Sequence, residues 1–151
     1  MKLPPGLVPR QLLAGPVLLD LFHRDGCVHD SWIQGGGSHG LGPHGTWLRL
    51  HPREFGLLWR LAESPRTALT RATLLRDVWR VHHDPPTNTL EVHIFRLRQK
   101  LAAFGVDRLV VTDPAGGYRL EADARPVVPV REALDSYVLI GNGARQESQT
   151  G

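Results

Sequence analysis

Arg96, Arg98, Gln99 and Lys100 crowd polar groups into five residues, with Glu91, Val92, His93 and Phe95 just before them. Side chains of these types can read a nucleic-acid groove. An arginine such as Arg96 pairs bidentately with guanine O6 and N7, and Glu91 can accept from a cytosine amino group. Val92 and Phe95 can pack on a thymine methyl. Arg98 and Lys100 suit bases or phosphates, and phosphate contacts set position while base contacts set specificity. Such groups act together only when one rigid element presents them. Leu90, Ile94, Leu97 and Leu101 recur at steps of four, three and four, which predicts an apolar stripe along a helix over 87–103. The same residues on a plain solvated helix face are the competing reading, because a basic patch alone is weak evidence.

The flanking chain supplies elements to seat that helix. Pro52 suits a first helical turn, Phe55, Leu58, Trp59 and Ala62 follow at helical spacing, and Ser64-Pro65 ends the run. Thr67-Ala68-Leu69 reads as an extended link. Thr70 is a good N-cap for a second helix, Arg71 to Trp79, with Leu74, Leu75 and Val78 inward. Thr70 and Arg71 at its start can bind a phosphate through the helix N-terminus. Asp84-Pro85-Pro86 breaks the chain, and Asn88 with Glu91 forms a candidate capping box, Thr87 being an equal candidate for the cap. Arg108 to Thr112, a turn at Asp113-Pro114-Ala115-Gly116-Gly117, and Tyr118 to Leu120 predict a β-hairpin.

Ahead of the helices, Pro16–His23 and Cys27–Ile33 are β-prone runs around a turn at Arg24-Asp25-Gly26, and Thr46 to Leu50 alternates like a strand. Residues 1–13 read as a leader, 14–121 as the folded domain, and 122–151 as a proline-containing, partly disordered tail. Within the tail, Val130 to Ile140 fits a short helix or strand that either packs back on the domain or mediates self-association. The fold class expected is α+β: an N-terminal antiparallel sheet, three helices and a C-terminal hairpin, a winged helix-turn-helix.

Composition narrows the function. Residues 66–119 hold nine Arg/Lys against five Asp/Glu, a net +4 that exceeds the +3 of the whole chain, as expected of a module that meets polyanions. The single cysteine, Cys27, excludes an intramolecular disulfide and a cysteine-rich metal site. None of the eight histidines, His39, His44, His82 and His83 among them, has zinc-pair spacing. The glycine loop at 35–45 lacks the Lys-Ser/Thr of a phosphate loop. Nothing assembles a nucleophile, a base and an oxyanion site, so no enzyme, metal or cofactor is expected. No apolar run reaches membrane-span length and the N-terminal prolines spoil a secretory core, so a soluble, cytoplasmic chain is expected.

Four spaced motifs, Pro52-Arg53-Glu54-Phe55-Gly56-Leu57-Leu58, Thr70 to Trp79, Thr89 to Leu101, and Gly117-Tyr118-Arg119-Leu120, together resemble the OmpR/PhoB-type DNA-binding domain of bacterial response regulators over residues 14–121. The resemblance implies a third helix in the DNA major groove and a C-terminal wing. It implies backbone contacts at His93, Arg98, Thr112 and Trp79, with Trp79 as a core aromatic the alternative. With Thr70, Arg71, Asn88, Thr89, Glu91, Val92, Phe95, Arg96 and Lys100, these make up the expected DNA-binding set. It further implies an RNA polymerase contact through Arg80 to Pro86, and possible homodimers. Family members carry a receiver domain before this module, whereas about fifteen residues stand here, so a stand-alone regulator is expected. Pro114, flanked by Asp113, stands at the position of the usual wing arginine and Ala115 at that of the glycine after it, predicting an acidic tip repelled by phosphates. The acidic wing and Phe95 open the competing expectation, a protein-binding adaptor or an antagonist of a related regulator that does not itself bind DNA.

Overall fold

The computed structural model describes residues 7–29, 45–127 and 137–139. The glycine loop at 35–45, with His39 and His44, falls outside these residues except for Gly45, as do residues 130–136 and 140–151 of the tail. The elements run β1 (Leu7–Pro9), β2 (Gln11–Ala14), β3 (Val17–Asp20), β4 (Asp25–His29), β5 (Gly45–Trp47), α1 (Pro52–Glu63), α2 (Arg71–Trp79), α3 (Thr89–Ala102), β6 (Val110–Thr112), β7 (Tyr118–Leu120), β8 (Ala124–Pro126) and β9 (Tyr137–Leu139). A five-stranded antiparallel sheet has the order β5-β4-β3-β2-β8, β6 and β7 form the hairpin, and β1 pairs with β9. The class is α+β and the helix-loop-helix-hairpin order is that of a winged helix-turn-helix.

Residues 7–13, within the expected leader of 1–13, instead contribute β1 and most of β2. β2 alternates half-buried and buried positions and pairs with β3 on one side and β8 on the other, so its Leu12 and Ala14 belong to the core. Its prolines lie at 4, 5 and 9, outside the strand that needs its N–H groups. The first hairpin turn also falls earlier than expected, at 21–24 instead of Arg24-Asp25-Gly26. Asp20, 2% exposed, accepts from the Phe22 and His23 amides at 2.8 and 3.2 Å, which ends β3 there. Gly26 lies inside β4, paired with Leu19 of β3, at a position where a Cβ would meet Val17 Cγ1 at 2.9 Å and Leu48 Cδ1 at 3.1 Å. β5 stops at Trp47, short of Leu50, as Asp25 accepts from the Arg49 and Leu50 amides at 3.0 Å each.

α1 starts with a capping box invisible in the usual residue types. His51 Nδ1 accepts from the Arg53 amide at 3.2 Å, and Glu54 accepts from the His51 amide at 2.9 Å. α2 starts as expected, with Thr70 Oγ1 accepting from the Thr73 amide at 3.1 Å. α3 does not: Asn88 holds the cap position but makes no side-chain cap bond. The expected stripe is fully buried, with Leu90, Ile94, Leu97 and Leu101 at most 2% exposed. They pack with Phe55, Leu58 and Leu61 of α1, Leu74 and Leu75 of α2, and the sheet residues Leu12, Val17 and Leu19 in one core.

Residues 107–109, where the expected strand begins, form a 3-10 turn. The link 67–69 joins the hairpin as a partial third strand: the Leu69 amide donates to Tyr118 O at 2.8 Å and the Tyr118 amide to Leu69 O at 3.0 Å. That approach requires glycine at 117, where φ is +82° and a Cβ would lie 2.2 Å from Leu69 O.

Candidate nucleic-acid interface

With Leu90, Ile94, Leu97 and Leu101 inward, the 100° step of the helix puts Asn88, Val92, Phe95, Arg96 and Gln99 on the opposite side. Asn88, Phe95, Arg96 and Gln99 are exposed, Phe95 to 60%, and Val92 is half-buried. The only cation in this stripe, Arg96, has no acidic partner among the described residues. The stripe therefore offers one guanidinium, two amides and two apolar groups. Gln99, outside the expected set, joins this stripe because the same periodicity places it one turn beyond Phe95 and Arg96.

One flank of α3 is fastened to α2 and the hairpin. Arg71 donates through Nε to Glu91 Oε1 at 2.7 Å, through Nη2 to Thr87 O at 2.6 Å, and through Nη1 to Asp84. Burial opposes ionisation of Glu91, yet the Arg71 hydrogen bond and charge prevail and hold its carboxyl below the ordinary range. Arg98 donates to Val110 O and Thr112 Oγ1, both at 2.9 Å, and lies over the Tyr118 ring, 5.6 Å from its centroid. Burial, with the nearby Glu91 carboxylate, pushes the Tyr118 hydroxyl upward. Arg71, Glu91 and Arg98, expected to face DNA, thus spend hydrogen-bonding groups on the protein itself.

The other flank faces α1. Lys100, expected at the DNA surface, instead reaches Glu54 Oε1 at 2.5 Å and Arg49 O at 2.9 Å. Glu54 is 2% exposed, and an unpaired carboxylate there would be costly, which draws the ammonium away from the outer stripe. His93 lies beside Thr89, its Nδ1 2.7 Å from the Thr89 carbonyl, a contact that needs the proton on Nδ1. The His93 ring packs edge-on against Trp79 at 5.2 Å and near His51 at 5.5 Å. Trp79 is half-buried, with the Arg53 guanidinium 5.5 Å from its ring, so it both packs and keeps an edge in solvent.

At the hairpin tip, Asp113 is not a free charge. It accepts from the Ala115 amide at 2.9 Å and from Arg119 Nη1 at 2.6 Å. These bonds hold its carboxyl below the ordinary range, and an internally paired acid repels phosphates less than the sequence implies. Thr112 and Thr70 are exposed. Among the described residues no three His, Cys, Asp or Glu side chains cluster to hold a metal. No helix among them is long and apolar enough to cross a membrane. Cys27 lies buried in β4.

This fold and helix surface define a winged-helix nucleic-acid-binding domain of the response-regulator type. Residues 45–120 match the family model described as transcriptional regulatory protein, C terminal. The chain belongs to that family, the OmpR/PhoB-type DNA-binding domain, a transcription-regulator module and not an enzyme. It is 40% identical over 74 residues to the response regulator MprA of Mycobacterium leprae (strain TN), covering 49% of this chain and 32% of that protein. It is 37% identical over 83 residues to the DNA-binding response regulator MtrA of Mycobacterium tuberculosis (strain ATCC 25618 / H37Rv), covering 54% and 36% respectively. The chain thus spans about a third of the length of these relatives. The Klebsiella pneumoniae RstA DNA-binding domain, solved in complex with the RstA box, shares the fold with a TM-score of 0.54 at 24% identity, over 74% of this chain and 97% of that one.

Proposed function

We propose that this module regulates transcription by binding promoter DNA with α3 in the major groove. The observation that carries this reading is the outer stripe of α3, exposed and uncommitted while both helix flanks are fastened to the rest of the domain. Arg96 is assigned to a guanine, and Val92 and Phe95 to thymine methyls. Asn88 and Gln99 are amides on the same stripe. Thr70, Thr89, Trp79, His93 and Thr112 are assigned to the phosphates beside it, while Arg71, Glu91, Arg98 and Lys100 chiefly support α3. The exposed residues His82, His83 and Asp84 of the 80–86 loop are the surface proposed for RNA polymerase. Pairing of β9 with β1 favours a tail that closes on its own domain over one that mediates homodimers.

Binding to promoter DNA across salt concentrations tests the reading: affinity should fall with a log–log slope of about 0.9 per phosphate contact. Arg96→Ala should cost about 1–3 kcal/mol at one base pair. No binding at low salt would overturn it. Phe95, 60% exposed beside a single uncommitted cation, favours a second reading, a protein-binding adaptor. On that reading Phe95→Ala abolishes capture of a protein partner and no DNA binding is found.

A further inference from the structure

We infer that Arg71 is a positioning residue and not a phosphate ligand: it orients the start of α3 and withholds Glu91 from the base edges. This rests on the DNA reading above for its consequence, but not for its geometry. Arg71 is the first residue of α2, where the helix N-terminus would welcome a phosphate. Its side chain is only 30% exposed, and all three of its nitrogens are engaged. Their acceptors lie in three separate stretches: Asp84 in the loop, the Thr87 carbonyl at the entry to α3, and Glu91 in the first turn of α3.

That distribution matters because α3 lacks its own cap. Asn88 makes no side-chain cap bond, and the preceding Asp84-Pro85-Pro86 run offers little backbone pairing, Pro85 and Pro86 having no N–H. The planar guanidinium fork supplies the missing restraint, fixing loop, entry and first turn to α2 at once. A lysine ammonium on a flexible stem cannot reproduce three divergent, directed bonds.

The second consequence is for sequence preference. A free glutamate on the third residue of a groove-bound helix accepts from a cytosine amino group. Here Glu91 Oε1 is bonded to Arg71 and Oε2 is buried. Oε2 has no hydrogen-bond partner but is closed off from solvent, so presenting it to a base would require turning the carboxylate out of its charge-assisted bond with Arg71. The inferred preference therefore comes from Val92, Phe95, Arg96 and Gln99, with no cytosine read by Glu91.

The test compares wild type, Arg71→Lys, Arg71→Gln, Glu91→Gln and the Arg71→Gln/Glu91→Gln double variant. Each is measured against a promoter duplex with every base pair varied singly, at several salt concentrations. Both Arg71 variants should lose about threefold or more in affinity, with the salt slope unchanged. Arg71→Gln should gain a cytosine preference at one position, and the double variant should lose it again. In the free protein, amide exchange at 87–91 should quicken in both Arg71 variants. Wild-type affinity in Arg71→Lys would overturn the inference, as would a slope lowered by about 0.9 in Arg71→Gln, the loss of one phosphate contact. An unchanged cytosine response would overturn the withholding of Glu91. If the wild type binds no DNA, the functional reading fails by itself, and the exchange rates still decide the role of Arg71: unaltered rates refute it.

Discussion

Replacing Gly117 by alanine should destabilise the domain by about 2–4 kcal/mol. The glycine stands just before β7 with φ at +82°, and the added Cβ would lie 2.2 Å from the main-chain oxygen of Leu69. Left-handed backbone costs a non-glycine residue about 1–2 kcal/mol. No rotamer change relieves the clash, because the obstacle is a carbonyl. Moving Leu69 away gives up its two hydrogen bonds with Tyr118, at 2.8 and 3.0 Å, worth about 1 kcal/mol each. For a domain of this size the total is a fall in Tm of about 10–25 °C. Gly105→Ala is the internal control: its φ is +71° but nothing lies within 4 Å of the new Cβ, so only the backbone cost of about 1–2 kcal/mol applies. Thermal melts followed by circular dichroism and calorimetry read both variants. Equal Tm values for Gly105→Ala and Gly117→Ala would refute the claim that contact with Leu69, and not φ alone, selects glycine there.

Three further outcomes follow from the contacts around α3 and the sheet. Lys100→Ala leaves the buried Glu54 carboxylate without its ammonium and should cost about 1–3 kcal/mol in urea denaturation, discounted for the partial exposure of Lys100; adding Glu54→Gln should restore part of the loss. Arg98→Leu removes the bonds to Val110 and Thr112 and should cost about 1–3 kcal/mol, with faster amide exchange confined to β6 and β7. The Asp20 contribution should vanish in acid. Burial raises its pKa, but hydrogen bonds from Gln11, His23 and Phe22 and the Arg10 charge together hold it below the ordinary value. Stability from such a group is complete above the unfolded-state value and is lost as pH falls through the folded-state one. The difference in urea midpoint between wild type and Asp20→Asn should therefore be largest near neutrality and shrink below the ordinary carboxylate range.

Periodicity, caps and turn residues were enough to locate α1, α2, α3 and the hairpin, because each is specified by local patterns: the Leu90–Leu101 stripe, Thr70 before α2, Gly116-Gly117 before Tyr118. The spaced motifs likewise carried the family. The outer stripe was legible in outline, since burying one face of a helix dictates which residues lie opposite. β2 was not legible, because four residues after a proline-rich start carry no period strong enough to outweigh a linker reading. It becomes a strand by pairing on one side with β3, which follows it across the Gly15-Pro16 turn, and on the other with β8, more than a hundred residues further along the chain.

The chemistry of the cations was decided entirely by tertiary structure. Arg71, Arg96, Arg98 and Lys100 are all cations that by residue type suit a phosphate or a base edge. Which of them keeps its charge for a ligand depends on where Asp84, Glu91, Val110 and Glu54 come to rest, and no local pattern encodes that. The same holds for Asp113, an acidic tip in sequence and a paired acid once Arg119 folds across the hairpin. The sequence by itself determined that a basic amphipathic helix is seated in a winged fold, since burial of apolar area depends on residue order. Only the assembled structure decided that Arg96 is the cation of the outer stripe left uncommitted, because ion pairing depends on distances between segments remote in sequence.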